Sequence, residues 1–479
     1  MFDGLNKIDE YRWELPKTGA MRVPGLIFSD SKLMGDMRND ESIKQVCNVA
    51  QLPGILRYSL AMPDMHWGYG FPIGGVAAFD IKEGIISPGG VGYDINCGCR
   101  LIASSLSASD VMPKINDLVM ALFKNIPSGV GSTGRTKLNI AEEKKVLAEG
   151  AKWAVNNGYG CASDLDRTED YGCLQDAAPE VVSQRALERG KEQLGTLGSG
   201  NHFLEVDVVD QIIDQSTASA FGLWQNQVVV LLHSGSRGLG YQVCDDFLAL
   251  LNKHVKTLDF SIPDAQLACA MIDSDMGRRY WAGMACAANY AWANRQMLMH
   301  WTRSAFEQVF RMGPQDLNMH LVYDVCHNIA KKEQHTVNGK KQWVCVHRKG
   351  ATRAFPPGHE ALPEIYRQIG QPVLVPGNMG TASYVMVGTQ HAMQETFGST
   401  CHGAGRIMSR TKALNASKGR SIHRELEDKG IIVKWTGKST LREEMPDAYK
   451  DISNVVDVVH NADISRKVAR LRPIGVIKG

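Results

Sequence analysis

The segment GYDINCGCR (92–100) carries the first chemical signal. Asp94 and Cys97 stand three apart among glycines, whose tolerance of left-handed backbone lets both side chains converge on one point. A carboxylate beside a thiolate suits a borderline divalent cation. A tight turn with a buried cysteine would read the same way. Cys97 and Cys99 are two apart, which is not the C-x-x-C spacing of zinc sites. GSGNHFLEV (198–206) runs a glycine-serine loop, whose free amides can cradle phosphate, into a β-like run that carries Asn201, His202 and Glu205. In LLHSGSRGLG (231–240) and YDVCHN (323–328) an apolar run ends in His233, or in His327 and Asn328, and then turns. Polar residues at the ends of buried strands often form sites. A satisfied core histidine is the other reading of each.

HRKGATRAFPPG (347–358) gathers His347, Arg348, Lys349 and Arg353 around a glycine. It reads as a basic loop suited to phosphate or nucleic-acid backbone, with a merely solvated loop as the alternative. STCHGAGRIMSR (399–410) sets His402 between Cys401 and a glycine-rich turn, with Arg406 just beyond. A bulky substrate can approach such a loop closely, and a neutral imidazole nitrogen is a competent nucleophile toward phosphorus. PDMHWGYGFPIGG (63–75) adds Asp64 and His66, and a carboxylate can orient a catalytic imidazole. VPGNMGTASY (375–384) is one more glycine turn after an apolar run. Each segment alone has a bland explanation. Their shared grammar, an apolar strand followed by His, Asp, Cys or Asn and then Gly, points to a metal-dependent enzyme acting on phosphates. No Walker P-loop and no K-x-D-G motif occurs, so a lysine-nucleophile nucleotidyltransferase is not indicated.

These side chains need a scaffold of strands. The runs 74–81, 202–209, 227–233, 320–325, 342–347 and 371–376 read as β-strands. Segments 109–125, 141–156, 176–193 and 240–256 read as amphipathic helices, and 264–311 as one long or broken buried helix. The expectation is a mixed α/β (α+β) fold over 1–479 with no visible domain boundary, repeat or low-complexity tract. The chain has 479 residues and is 44% hydrophobic, enough for a large core. Lys+Arg 53 against Asp+Glu 51 leaves no global basic excess, so any nucleic-acid contact must be local. Eleven scattered cysteines, a charged N-terminal segment and the lack of a long apolar run lead us to expect free thiols in a reducing, cytoplasmic setting without membrane insertion.

Taken together, GYDINCGCR, GSGNHFLE, HSGSRGLG, DVCHN, HRKGATRAFP, PGNMGT, CHGAGR and the final PIGVIKG resemble the RtcB-type RNA ligases, the tRNA-splicing ligase family, in order and over nearly the whole chain. The resemblance implies an RtcB-like fold and a GTP- and Mn²⁺-dependent ligase. Such an enzyme joins an RNA 3′-phosphate or 2′,3′-cyclic phosphate to a 5′-hydroxyl, in tRNA splicing or RNA repair. It implies that Cys97 bridges two Mn²⁺ ions, with Asp94 and His202 completing one site and His233 and His327 the other. His402 would carry the guanylate, oriented by Asp64. Nucleotide contacts would come from Asn201, His202, Phe203, Leu204 and Glu205; from His327 and Asn328; from Pro376, Gly377, Asn378, Met379 and Ser383; from His402, Gly403, Ala404 and Gly405; and from Tyr449 and Lys478. Lys478 can do so only if the chain end folds back. Arg237, Arg348, Lys349, Arg353 and Arg406 would meet RNA or phosphate. Asn378 departs from the family's more usual serine and keeps a hydrogen-bonding side chain. An archease-type accessory protein and a monomeric state fit the same resemblance. The alternative is a metal-dependent phosphoesterase or cyclic phosphodiesterase acting on RNA ends, which would need neither His402 nor a guanine pocket. No role is assigned to the stretch Cys161–Cys173.

Overall fold

The apolar runs become strands, and the strands sort into two large sheets. The computed structural model describes residues 4–37, 40–437 and 439–479. One sheet has seven strands in the order Asn6–Lys7, Arg12–Leu15, Gly25–Phe28, Ser59–His66, Ile73–Asp80, Lys340–Lys349 and Asn328–Val337. Among the described residues its only parallel pair is Gly25–Phe28 beside Ser59–His66. The other has eight. Seven follow the order His320–Cys326, Gly98–Ser107, Gln227–Ser234, Phe203–Ile212, Ser465–Lys478, Ser383–Gly388 and Pro372–Val375. The eighth, Ile432–Trp435, lies parallel to Ser465–Lys478. Gln227–Ser234 is buried along its whole length, which is why it reads as a continuous apolar run rather than an alternation.

Register decides where the chemistry lands. Cys99 pairs with His233, His233 with Phe203, and Phe203 with Lys478. Gly98 pairs with both Ser234 and Cys326. In an antiparallel sheet one strand starts where its neighbour stops. Residues 97, 202, 233, 327 and 478 therefore meet at one end of the sheet, although they are far apart in the chain. His327 stands between His320–Cys326 of one sheet and Asn328–Val337 of the other, so the chain crosses between sheets there. Ser465–Lys478 brings the chain end back beside Phe203–Ile212, as a role for Lys478 requires.

The stretch 264–311 resolves into one unbroken helix, Asp275–Phe310, preceded by a short turn and the two-residue strand Ala270–Met271. Ser274 caps its start by accepting from the Gly277 amide. Buried nearly all round, it carries Asn289, Asn294, Arg295 and Gln296 into the interior. Arg295 donates to both carboxylate oxygens of Asp324 at 2.8 Å. It also donates to the carbonyls of Asn96 at 2.7 Å and Ser234 at 3.0 Å. Asn294 holds the amides of Gly195 and Thr196 and the carbonyl of Gly235. The helix thus pins the loops that bear the candidate ligands.

Other helices differ from their sequence reading for local reasons. Segment 109–125 splits into Ala108–Val111 and Ile115–Asn125 around Pro113, which cannot donate an amide. Segment 141–156 splits at Gly150, whose φ is 59°. Within 176–193 the α-helix is only Gln184–Gly190, which starts at the Ser183 cap. The 240–256 helix spans Arg237–His254.

Arg100, which donates to Asp324 at 2.8 Å, shares that carboxylate with Arg295, and all three side chains have no exposure. Asp324→Ala leaves two buried guanidinium groups uncompensated. It should lower the unfolding free energy by about 3–5 kcal/mol, read as a fall in the denaturant midpoint; an unchanged midpoint would mean that the pair is not what holds these loops.

Candidate functional site

Four donor atoms converge on the Cys97 sulfur. Cys97 Sγ lies 3.1 Å from His233 Nε2 and 3.4 Å from His202 Nε2. His202 Nε2 is 2.7 Å from Asp94 Oδ2, and His233 Nε2 is 3.2 Å from His327 Nε2. Two triads result, Asp94–Cys97–His202 and Cys97–His233–His327, each with its ligand atoms within 4.8 Å of one another. Cys97 belongs to both. The donor set fits a divalent cation. Burial, with neighbouring imidazoles and cations, pushes His233 and His327 well below the usual histidine range, so both are neutral and their lone pairs are available. Burial, then the neighbouring Asp94 carboxylate, pushes the Cys97 thiol well up, so a thiolate there calls for a cation beside it. Asp94 behaves oppositely: against its burial, the His202 charge and hydrogen bond bring it down to about 2. Ser236 fixes its other oxygen with an amide at 2.9 Å.

His402 stands beside this cluster, its ring centre 4.9 Å from that of His327, and both line a cavity of about 330 Å³. His402 Nδ1 is 2.6 Å from Asp64 Oδ2. The buried carboxylate also accepts from the amides of His402 at 3.0 Å and Gly403 at 3.3 Å. Burial works against charge on Asp64, but His402 and these hydrogen bonds hold it below the usual carboxylate range. An ionised Asp64 accepts the Nδ1 proton, which leaves Nε2 as the free lone pair. The close approach explains Gly405: its φ is 72°, and a Cβ there would lie 2.3 Å from the Asp64 carbonyl oxygen.

The cavity wall brings together most of the residues singled out by sequence. It includes Asn201, Phe203 and Glu205; His233, His327, Asn328 and Lys349; Pro376, Gly377, Asn378 and Met379; His402, Gly403, Ala404, Gly405 and Arg406; and Tyr449 and Lys478. Glu205 is 3% exposed, and burial, opposed by Lys478, pushes it up to about 7. Asn328 is held on both sides, donating to the Asp94 carbonyl at 3.1 Å and accepting from the Gly350 amide at 2.9 Å. Asn378 accepts from the Gly380 amide at 3.0 Å, which shapes its own turn.

Four assignments change. Leu204 alternates away from its neighbours Phe203 and Glu205, and its side chain packs in the apolar core. Ser383 lies outside the wall and accepts from the Gly377 amide at 3.1 Å, supporting the turn. Arg348 and Arg353 are not surface contacts, because 347–353 is strand rather than loop. Arg348 is fully buried on Glu333 at 2.6 and 2.9 Å. Arg353 is 2% exposed and bound to Asp170 at 2.9 Å. Lys349, on the opposite strand face from Arg348, does reach the cavity, where burial pulls it down to about 7 and the carbonyls of Tyr69, Phe71 and Gly89 receive its ammonium. Arg237 sits behind the wall, donating to Thr196 Oγ1 at 3.1 Å. Cys161–Cys173 forms a short helix and turn, and all eleven cysteines are free. Sequence reading missed Tyr69, Tyr93, Arg410 and Glu444 in the wall; the first three lie within segments read only for Asp64 and His66, for Asp94 and Cys97, and for His402 and Arg406, and Glu444 lies in none. Among the described residues no helix is long and apolar enough to cross a membrane.

Fold and site define a mixed α/β protein in which a candidate two-site metal centre opens into the same cavity as an aspartate-oriented histidine. The family model described as tRNA-splicing ligase RtcB matches residues 45–479. Proteins named tRNA-splicing ligase RtcB from Archaeoglobus fulgidus, Thermococcus kodakarensis and Methanococcus maripaludis are 56%, 54% and 52% identical over 477, 476 and 477 residues. Each comparison covers 99% of both chains. The chain belongs to the RtcB family.

The shared sulfur has a direct consequence. Cys97→Ala should abolish binding at both positions. His202→Ala should remove the ion held with Asp94 and spare the one between Cys97, His233 and His327. Metal content per chain after dialysis against Mn²⁺ checks this; equal losses in the two variants would contradict two triads joined at one thiolate.

Proposed function

We propose that the protein is a GTP- and Mn²⁺-dependent RNA ligase, with 1–479 acting as one catalytic unit. It would join an RNA 3′-phosphate, or a 2′,3′-cyclic phosphate once hydrolysed, to a 5′-hydroxyl. Membership of the RtcB family supports ligation, and the relatives' printed name supports tRNA splicing. The observation that carries the reaction is the 2.6 Å contact between His402 Nδ1 and Asp64, because it leaves Nε2 as a nucleophile facing the cavity.

His402 Nε2 attacks the α-phosphorus of GTP. A nitrogen–phosphorus bond forms, the bond to the β-phosphate oxygen breaks, and pyrophosphate leaves. An RNA 3′-phosphate oxygen then takes the guanylate from His402, which regains its lone pair. The 5′-hydroxyl of the second RNA attacks the activated 3′-phosphorus, loses its proton, and expels GMP. Asp64 keeps the imidazole in one tautomer throughout and stabilises the positive charge that develops when Nε2 is bonded. Asp94, Cys97, His202, His233 and His327 would hold Mn²⁺, which supplies Lewis-acid stabilisation of charge on phosphate oxygens and a means of activating water toward a cyclic end. Glu205, in the same wall, is suited to accept from guanine N1–H and its exocyclic amine, a donor pair that adenine lacks. Of the basic side chains singled out by sequence, Lys349 and Arg406 remain in the cavity wall as candidates to meet phosphate. A phosphoesterase would use the metal ligands alone and leave Asp64 and His402 without a task.

Incubation with α-³²P-GTP and Mn²⁺ should place an acid-labile, base-stable label on the wild-type chain and none on His402→Ala. Asp64→Asn should slow labelling by about 10²-fold or more. Label that persists in His402→Ala would overturn the nucleophile, and metal-loaded wild type without label would favour the phosphoesterase.

A further inference from the structure

Glu444 belongs to none of the motifs above, yet it lies in the cavity wall and is 1% exposed. It follows the short helix Thr440–Glu443. Its Oε2 accepts from the Tyr449 hydroxyl and lies 3.1 Å from Arg406 Nη1 and 4.0 Å from Lys478 Nζ. Its Oε1 lies 3.4 Å from Arg410 Nε. The four partners come from separate stretches: the turn after strand Ser399–Cys401, the first residue of helix Arg410–Ala416, the segment before helix Ile452–Asn461, and the end of strand Ser465–Lys478. All four line the same cavity. Arg406 is tied in further, donating to the Tyr449 hydroxyl at 3.2 Å and lying 5.0 Å from its ring centre. Burial opposes charge on Glu444, but Lys478, Arg406, Tyr449 and Arg410 together hold its carboxyl below the usual range. Without that carboxylate, three cations would face one another around one wall and separate.

We propose that Glu444 is the positioning residue of the nucleotide subsite, holding Tyr449, Arg406 and Lys478 where they meet GTP. The proposal rests on the reading of this cavity as the GTP site. Glu444 acts through its partners, none of which is Asp64 or His402, so its loss weakens nucleotide capture and leaves the attack at phosphorus largely intact.

The test is α-³²P-GTP labelling of the Mn²⁺-loaded full chain over a range of GTP concentrations. Glu444→Gln keeps the side-chain size and removes the charge. It should raise the GTP concentration for half-maximal labelling by about tenfold or more, the scale of one charge-assisted hydrogen bond. The rate at saturating GTP should stay within about threefold of wild type. Tyr449→Phe, which removes the hydroxyl that Glu444 holds, should shift half-saturation in the same direction, and the double variant should show less than the product of the two effects. An unchanged half-saturation in Glu444→Gln, a loss confined to the saturating rate, or strictly multiplicative effects would each overturn the positioning role. If Glu444→Gln does not fold, Tyr449→Phe decides alone, and an unchanged half-saturation there overturns it. A wild type that takes no label overturns the GTP reading and the positioning role together, whereas a labelled wild type with an unaffected variant overturns the role of Glu444 alone.

Discussion

A buried thiol cannot ionise without a cation close by, and the site is organised around that constraint. Cys97 is 2% exposed and pushed well above the usual thiol range. Around it the fold sets two imidazoles kept neutral by burial and a third paired with Asp94. Five candidate ligand residues at this spacing demand that strand ends from different parts of the chain arrive together. The antiparallel register of Gly98–Ser107, Gln227–Ser234 and Phe203–Ile212 achieves this, with His327 entering at the crossing between the sheets. Arg295 then fixes the carbonyls of Asn96 and Ser234, on two of the ligand-bearing loops, to one buried carboxylate.

The second half of the site adjoins the first, with the His402 ring 4.9 Å from that of His327, and follows a different electrostatic logic. Asp64 is ionised because imidazole and amide donors surround it, and it in turn fixes which nitrogen of His402 is free. Glu205, by contrast, shares its end of the cavity with Lys478, and burial pushes it up to about 7. Two buried carboxylates are thus held in different states by their surroundings, Asp64 behind His402 as a fixed anion that orients the imidazole and Glu205 in the cavity wall poised near neutrality beside a lysine. Lys478 reaches this place only because the final strand pairs with Phe203–Ile212.

The parts of this arrangement carried by local pattern were legible in the sequence. Apolar runs bounded by His or Asn and Gly located the strands Phe203–Ile212, Gln227–Ser234 and His320–Cys326, with His202, His233 and His327 at the ends that meet. The ligand letters were legible too, but their partition into two triads came from family resemblance, since spacing along the chain says nothing about which strand ends meet. The basic cluster 347–353 shows what composition hides. As a loop it would present every cation to solvent. As a strand it sends Lys349 to the cavity and Arg348 to Glu333 on the other face. Glu444 was invisible for a similar reason. The second glutamate of LREEMPD (441–447) gains its meaning only from four partners that folding brings to it.

The reaction proposed for this site joins RNA ends and retains the 3′-phosphate in the product. It is tested with RNA bearing a ³²P-labelled 3′-phosphate, a second RNA with a 5′-hydroxyl, GTP and Mn²⁺. A ligase gives a longer product in which the labelled phosphorus has become resistant to phosphatase, at the expense of GTP. Release of the label as inorganic phosphate, with no longer product, would contradict it and leave a phosphoesterase in its place.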